Sequence, residues 1–233
     1  MIVSIMQPAY LPWLGYFDRI LQSDLHIVLD SVQLERSSKT RFTNRNKILT
    51  KEGGLWLTVP VMTSGIGQPL ICDVTIDNSQ DWRRKHWMAI QNTYSRHRHF
   101  GEHKQFFGDV FKENWVQLTN LLRTTTDYLL AAMNIKTPTL YSSELAVPGA
   151  KGELILNLCK AVGGTTYLSG PFGRGYLDES EFKQAGVDVV YHDYAHPVYP
   201  QLRADFFPFM SVVDLLFNCG DESLKILNSN SSR

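Results

Sequence analysis

Apolar residues fill Ile2 to Met6 apart from Ser4, the pattern of a buried strand, and between 15 and 22 they recur at Phe17, Ile20 and Leu21, the spacing of one helical face. HIVLD at 26–30 reads as a second strand, and strand, helix and strand at this spacing make a parallel βαβ unit. After a polar, basic stretch at 33–51, WLTVPVM (56–62) and ICDVTID (71–77) alternate in polarity. They predict an antiparallel β-hairpin joined by SGIGQP, outside the parallel succession. Segments 82–96, 104–112 and 115–133 carry apolar residues at steps of three and four, which predicts a helical insertion at residues 80–134, a lid or insert.

The second half alternates again. TPTLYSS (137–143), TTYLSG (165–170) and VDVVYH (187–192) read as strands, and 152–162, 179–185 and 210–218 as helices. Such alternation predicts an α/β fold with a doubly wound, mainly parallel sheet of about five strands. One domain over 1–233 is expected, with a frayed tail at NSNSSR.

With 43% hydrophobic residues in a chain of 233, a sizeable core forms without disulfide staples. The 23 basic and 23 acidic residues cancel, so no global field draws the chain to nucleic acid or to an anionic membrane. An anionic ligand has to be met by a local cluster. Cys72, Cys159 and Cys219 lie far apart without metal or haem spacing, as expected in a reducing cytoplasm. Gln7, Pro8 and Pro12 interrupt any secretory signal, and no run of about 18 uncharged apolar residues spells a membrane span.

Ligands of open α/β sheets bind beyond the carboxyl ends of the strands, and here the text after each strand is chemically unusual. In QPAYLPWLGY both prolines fix φ and pre-organise the loop. Gly15 lets a bound group approach the start of the following helix, and Tyr10, Trp13 and Tyr16 offer flat faces to a base or sugar ring. The plain alternative is a loop that plugs the sheet edge. KTRFTNRNK sets Lys39, Arg41, Arg45 and Lys47 among Asn44 and Asn46, a set suited to phosphate or carboxylate oxygens, or else a solvated basic loop. SGPFGRGYLD surrounds Arg174 with glycines but lacks the lysine and hydroxyl of a P-loop, so a plain turn fits it equally.

In RHRHFGEH no carboxylate and histidine pair falls at the i, i+4 spacing of a zinc helix site, so His97, His99 and His103 read as a solvated helix end and no metal site is expected. His192 is different, because it closes a strand beside Asp193, where a general base could work; a satisfied histidine is the plain reading. Ser211 and Asp214 open an apolar helix, as an N-cap and a charge favourable to the helix dipole do. No GxSxG elbow supports a serine hydrolase.

MQPAYLPWLGYFDRI, the strand ending at Asp30 with Gln33 after it, NRNKI, WLTVPV, the YLSG and YLD block and the closing SVVDLLFNCG together resemble the WbqC-like protein family, from Met6 to Gly220. The resemblance implies a setting among bacterial enzymes of O-antigen and other surface polysaccharides, acting on nucleotide-linked sugars. By the matching motifs it implies functional positions at Gln7, Pro8, Tyr10, Pro12, Gly15, Tyr16, Asp30, Gln33, Asn44, Arg45, Ser169, Gly170, Tyr176, Tyr199, Gln201, Ser211 and Asp214. RSSKTRFT departs from the plainer stretch the family has before its asparagine-arginine pair, at Lys39 and Arg41. The first βα loop also resembles, distantly, that of nucleotidylyltransferases and pantothenate-synthetase-like ligases. Trp13-Leu14-Gly15-Tyr16 stands where they carry His-x-Gly-His, which implies a Rossmann-like fold without their adenylylating groups.

The expected activity is transfer of an acyl or aminoacyl group to the amine of a nucleotide-linked sugar. Arg41 and Arg45 would hold the diphosphate, Tyr10, Trp13 and Tyr16 a ring, and Asp30 or His192 would take the amine proton. The partners expected are that sugar and its acyl donor. Two rivals are a non-catalytic sugar-nucleotide binding or scaffold protein, and a nucleotidyl transferase or ATP-dependent ligase.

Overall fold

The computed structural model describes residues 1–35, 41–62, 67–203 and 205–229. Five strands, β1 (Ile2–Met6), β2 (Leu25–Val28), β5 (Thr139–Tyr141), β6 (Thr166–Ser169) and β7 (Asp188–Tyr191), form one sheet in the order β5-β2-β1-β6-β7. Every pairing in it is parallel, with Val3 of β1 opposite Leu25 on one side and Tyr167 on the other. The fold is the Rossmann-like α/β arrangement that the alternation predicts.

Strand periodicity divides β1 between two layers. Val3 and Ile5 point with Ile27 and Tyr167 into a core closed by α6 (Lys151–Ala161), through Leu154, Ile155 and Leu158, and by α7 (Glu179–Gln184), through Phe182. The larger core lies on the opposite side. There Phe17 and Ile20 of α1 (Leu14–Leu21) meet Leu215 and Leu216 of α8 (Val212–Cys219). The same core takes Ile90 and Tyr94 of α2 (Trp82–Tyr94), Phe107 of α3 (Phe100–Val110) and Leu121 and Leu129 of α4 (Leu118–Ala132). No helix among the described residues is long and apolar enough to cross a membrane.

The hairpin differs from expectation. β3 (Arg45–Thr50) pairs antiparallel with β4 (Gly53–Thr58), Arg45 opposite Thr58 and Thr50 opposite Gly53. The turn between them is only Lys51 and Glu52, and Gly53, at φ +118, takes a backbone conformation that other residues avoid. The basic text of β3 concealed a strand. Of the expected pairing, the single bridge Val61–Ile76 remains, and Ile71–Asp73 is a 3-10 turn. The tail expectation at 230–233 and part of SGIGQP lie outside the described residues. A short helix, α5 (Ser142–Leu145), follows β5, and another, α9 (Ser223–Asn228), closes the described chain through buried Leu227.

Polar groups under α1 are paired. Ser4 Oγ lies 2.9 Å from His26 Nδ1 and 2.9 Å from Ser23 Oγ, and Tyr16 Oη lies 3.4 Å from His26 Nε2. Burial, aided by the nearby Arg19 charge, pushes the His26 pKa down to about 3, and burial pushes His86 down to about 4. Both are neutral in the folded chain, whereas the unfolded chain protonates them near about pH 6.5. Stability is therefore full above about pH 6.5 and declines as the pH falls toward the folded values, by up to about 1.4 kcal/mol per pH unit for each histidine. Urea midpoints at about pH 7 and about pH 5 should differ accordingly, and His86→Asn should flatten the decline.

Candidate functional site

From β1 the chain winds outward to β2 and β5, then returns to β6 and β7 on the other side of β1. The succession reverses between β1 and β6, and such a switch point opens a crevice beyond the strands' carboxyl ends. A cavity of about 610 Å³ lies there. Gln7, Pro8 and Trp13 line it from the loop after β1, and Gly15 and Arg19 from α1. Gly170 and Tyr176 follow β6, His192 and Tyr194 follow β7, and Phe42 comes from the segment before the hairpin.

Distant segments hold the loop after β1. Asn46 Nδ2 donates to the carbonyl of Leu11 at 2.7 Å, Val212 N donates to that of Pro12 at 2.8 Å, and Tyr10 N donates to Phe42 O at 2.9 Å. Trp13 and Ser211 form an antiparallel bridge. Leu11 stands at φ 43, directly before a proline that disfavours helical backbone. Such a conformation persists only where surrounding bonds over-determine it.

At the cavity wall, the lining residue His192 has Nε2 2.5 Å from Oδ2 of Asp18 behind it, with both side chains almost wholly buried. Asp18 Oδ2 also accepts from Gln22 Nε2 at 2.8 Å. One helical turn carries both charged groups, because Asp18 and Arg19 are adjacent in an otherwise apolar α1. Burial holds the Arg19 guanidinium below its usual pKa, and its Nε makes no hydrogen bond among the described residues. Two glycines allow close approach. A Cβ at Gly15 would stand 2.9 Å from the Tyr194 ring, and one at Gly170 would stand 2.6 Å from Arg19 Nη2.

Of the residues singled out from the sequence, Gln7, Pro8, Trp13, Gly15, Gly170, Tyr176 and His192 line this cavity. Ser169 lies just behind it, fully buried, and its carbonyl accepts from His192 N at 2.8 Å. Tyr10 and Tyr16 have no free face: both rings are buried, and Tyr10 Oη lies 2.9 Å from His86 Nδ1. Asp30 also stands apart. Its Oδ1 accepts from Ser142 Oγ at 3.0 Å and Ser143 N at 2.9 Å, and its Oδ2 accepts from Ser143 Oγ at 2.7 Å. That carboxylate ties the end of β2 to the start of α5.

Gln33 is exposed and bridges Leu70. Asn44 Nδ2 donates to Val59 O at 2.8 Å inside the hairpin's base. Arg45 Nε donates to Arg41 O at 3.1 Å, and the Arg45 guanidinium stacks 4.6 Å over Trp56. Arg41 and Arg45 thus flank Phe42 and Thr43, which do line the cavity. Lys39 lies outside the described residues.

Tyr199, Gln201, Ser211 and Asp214 gather elsewhere. Asp214 Oδ1 accepts from Tyr94 Oη at 2.8 Å, and its Oδ2 accepts from Tyr199 Oη at 3.0 Å and Gln201 Nε2 at 2.9 Å. Burial pushes the Asp214 pKa up against those hydrogen bonds. Ser211 caps α8 by accepting from Val213 N at 3.4 Å. Asp214 borders a second cavity of about 880 Å³, between the hairpin turn and α2, whose lining shares no residue with the first. Tyr10, Arg45, Ser169 and Asp214 therefore do not enclose one space.

Sequence reasoning missed Asp18, Arg19, Phe42 and Tyr194. The available signal was a charged pair inside LGYFDRIL, where an amphipathic helix would place apolar residues. His103, expected to be solvated, is buried with Nδ1 2.7 Å from Tyr128 Oη. Among the described residues no group of three or more His, Cys, Asp or Glu could hold a metal ion. Replacing Asp30 by alanine leaves three donors unpaired and should lower the unfolding free energy by about 1–3 kcal/mol in urea titrations.

The comparisons agree with this geometry in extent. The uncharacterized Mycobacterium tuberculosis (strain ATCC 25618 / H37Rv) protein Rv1507c is 35% identical over 223 residues, which cover 95% of each chain. No solved structure matches. The profile of the WbqC-like protein family matches residues 7–226, from the loop that opens the crevice through α8 into α9, and the chain belongs to that family.

Proposed function

We propose that the chain is an enzyme of bacterial surface-polysaccharide (O-antigen) biosynthesis that transfers an acyl or aminoacyl group to the amine of a nucleotide-linked amino sugar. The observation that carries this reading is the His192–Asp18 pair, 2.5 Å apart, set in the wall of a cavity of about 610 Å³ at the sheet's switch point. That volume suits a ligand of small-molecule size. Trp13, Phe42 and Tyr176 supply flat apolar walls for a base or sugar ring. Arg41 and Arg45 flank the lining residues Phe42 and Thr43 in sequence, and in this reading their guanidinium groups would meet a diphosphate.

An amino sugar arrives as an ammonium, which has no lone pair to attack with. The Asp18 carboxylate accepts a hydrogen bond from Nε2–H of His192, which leaves Nδ1 as the basic nitrogen. Nδ1 accepts one proton from the ammonium, and the freed lone pair forms a bond to the acyl carbon. The bond from that carbon to the donor's oxygen or sulfur breaks, and the leaving group departs with its electron pair and takes the second proton that the nitrogen sheds on becoming an amide, while the first passes from Nδ1 to water. Asp18 balances the imidazolium in between and fixes the ring, while the walls hold the two substrates together.

The test incubates the protein with amino-sugar nucleotides and activated acyl or aminoacyl donors and reads the products by mass spectrometry. An amide adduct is expected, with kcat about 10²–10⁴-fold lower in His192→Gln. Full turnover by that variant, or no adduct with any donor, sinks the reading. Asp18→Asn should approach the same loss, because an amide cannot balance the imidazolium charge.

A further inference from the structure

The proposed transfer gives work to His192 and Asp18 and leaves Arg19 unexplained. Its guanidinium has five donors and a permanent charge, and it lines the cavity. Nε is shielded from solvent and makes no hydrogen bond among the described residues. Nor does any of them form an ion pair with Arg19: the adjacent Asp18 is bonded to His192 and Gln22. The phenols of Tyr16 and Tyr167 supply no negative charge, since burial raises both pKa values far above neutrality. A charge left this way costs folding energy unless something else pairs with it.

The surroundings keep the group in place. Gly170 has no side chain to displace it, and a Cβ there would stand 2.6 Å from Nη2 and 3.0 Å from Cζ. Tyr176 and Tyr167 line the same side of the cavity. A planar, charged fork held against bare backbone, with a donor unsatisfied, is a receptor for two oxygens of one anion.

We propose that Arg19 is an anion-binding residue of this cavity, and that one substrate carries a carboxylate or phosphoryl group which pairs with it. This deepens the reading of the cavity as a substrate site and rests on it. Anion binding is read without turnover, so it can fail while the transferase assay succeeds, or the reverse.

The experiment follows thermal unfolding of the ligand-free protein in phosphate, sulfate, acetate and malonate, each against chloride at equal ionic strength. Wild type should melt higher as the concentration of at least one oxyanion rises. A response confined to phosphate and sulfate assigns a phosphoryl group, and one confined to acetate and malonate assigns a carboxylate. Arg19→Met should weaken the response about tenfold or more, and Arg19→Lys should keep part of it. In chloride alone Arg19→Met should melt no lower than wild type, because it removes an unpaired buried charge. Gly170→Ala, which displaces the fork but keeps the charge, should also lose affinity. The proposal is overturned if no oxyanion shifts wild type, if Arg19→Met responds as wild type does, or if that variant melts well below wild type or fails to fold, which marks a structural arginine.

Discussion

A loop with two prolines cannot satisfy its own backbone. Between Met6 and α1 the chain makes no regular ladder, yet it is almost wholly buried, and its carbonyls need donors from elsewhere. Asn46 supplies one to Leu11 and Val212 supplies one to Pro12, at 2.7 and 2.8 Å. The hairpin and the start of α8 are consequently fixed against the mouth of the sheet. Remove those two donors and Leu11 has no reason to stay at φ 43, nor Trp13 to remain beside Phe42 at the cavity wall.

The same constraint explains why residues far from the cavity carry specific chemistry. Ser211 caps the helix whose first amide holds Pro12, and its own amide donates to Lys47 O at 2.8 Å. Asp214, one turn on, accepts from Tyr94, Tyr199 and Gln201, while Tyr94 Oη accepts from Leu49 N at 3.1 Å. One buried carboxylate thus ties α8 to α2, to β3 and to the loop at 199–201. A buried polar cluster of this kind is costly when half satisfied and specific when complete, which suits a part that must hold a loop in one position.

Much of the scaffold was legible in periodicity. All five sheet strands and the helices at 14–21, 82–94 and 151–161 follow runs and spacings that burial on one or two faces dictates. β3 was not legible, because Arg45 and Lys47 lie on its outer face and, of its buried residues, Asn46 is polar and only Ile48 and Leu49 are apolar. Site positions read from motif text proved mixed for a physical reason. A motif records every residue whose chemistry matters, and clamps such as Ser211 and Asp30 matter as much as cavity walls such as Trp13 and Gly170. Nothing local distinguishes them; the distinction is made by which long-range partner each finds.

Asp18 and Arg19 show the converse. Their neighbours on α1 are buried apolar residues, so periodicity assigns the helix to the core and passes over the two charges within it. Yet burying a carboxylate and a guanidinium side by side without a bond between them gains nothing for folding that apolar residues would not exceed. The carboxylate is accounted for by His192, 2.5 Å away, whereas the Arg19 Nε finds no hydrogen-bond partner among the described residues. A fold that keeps such an arrangement at its switch point gives up stability there. On the proposal that Arg19 binds an anion, the compensation arrives with the molecule that fills the crevice.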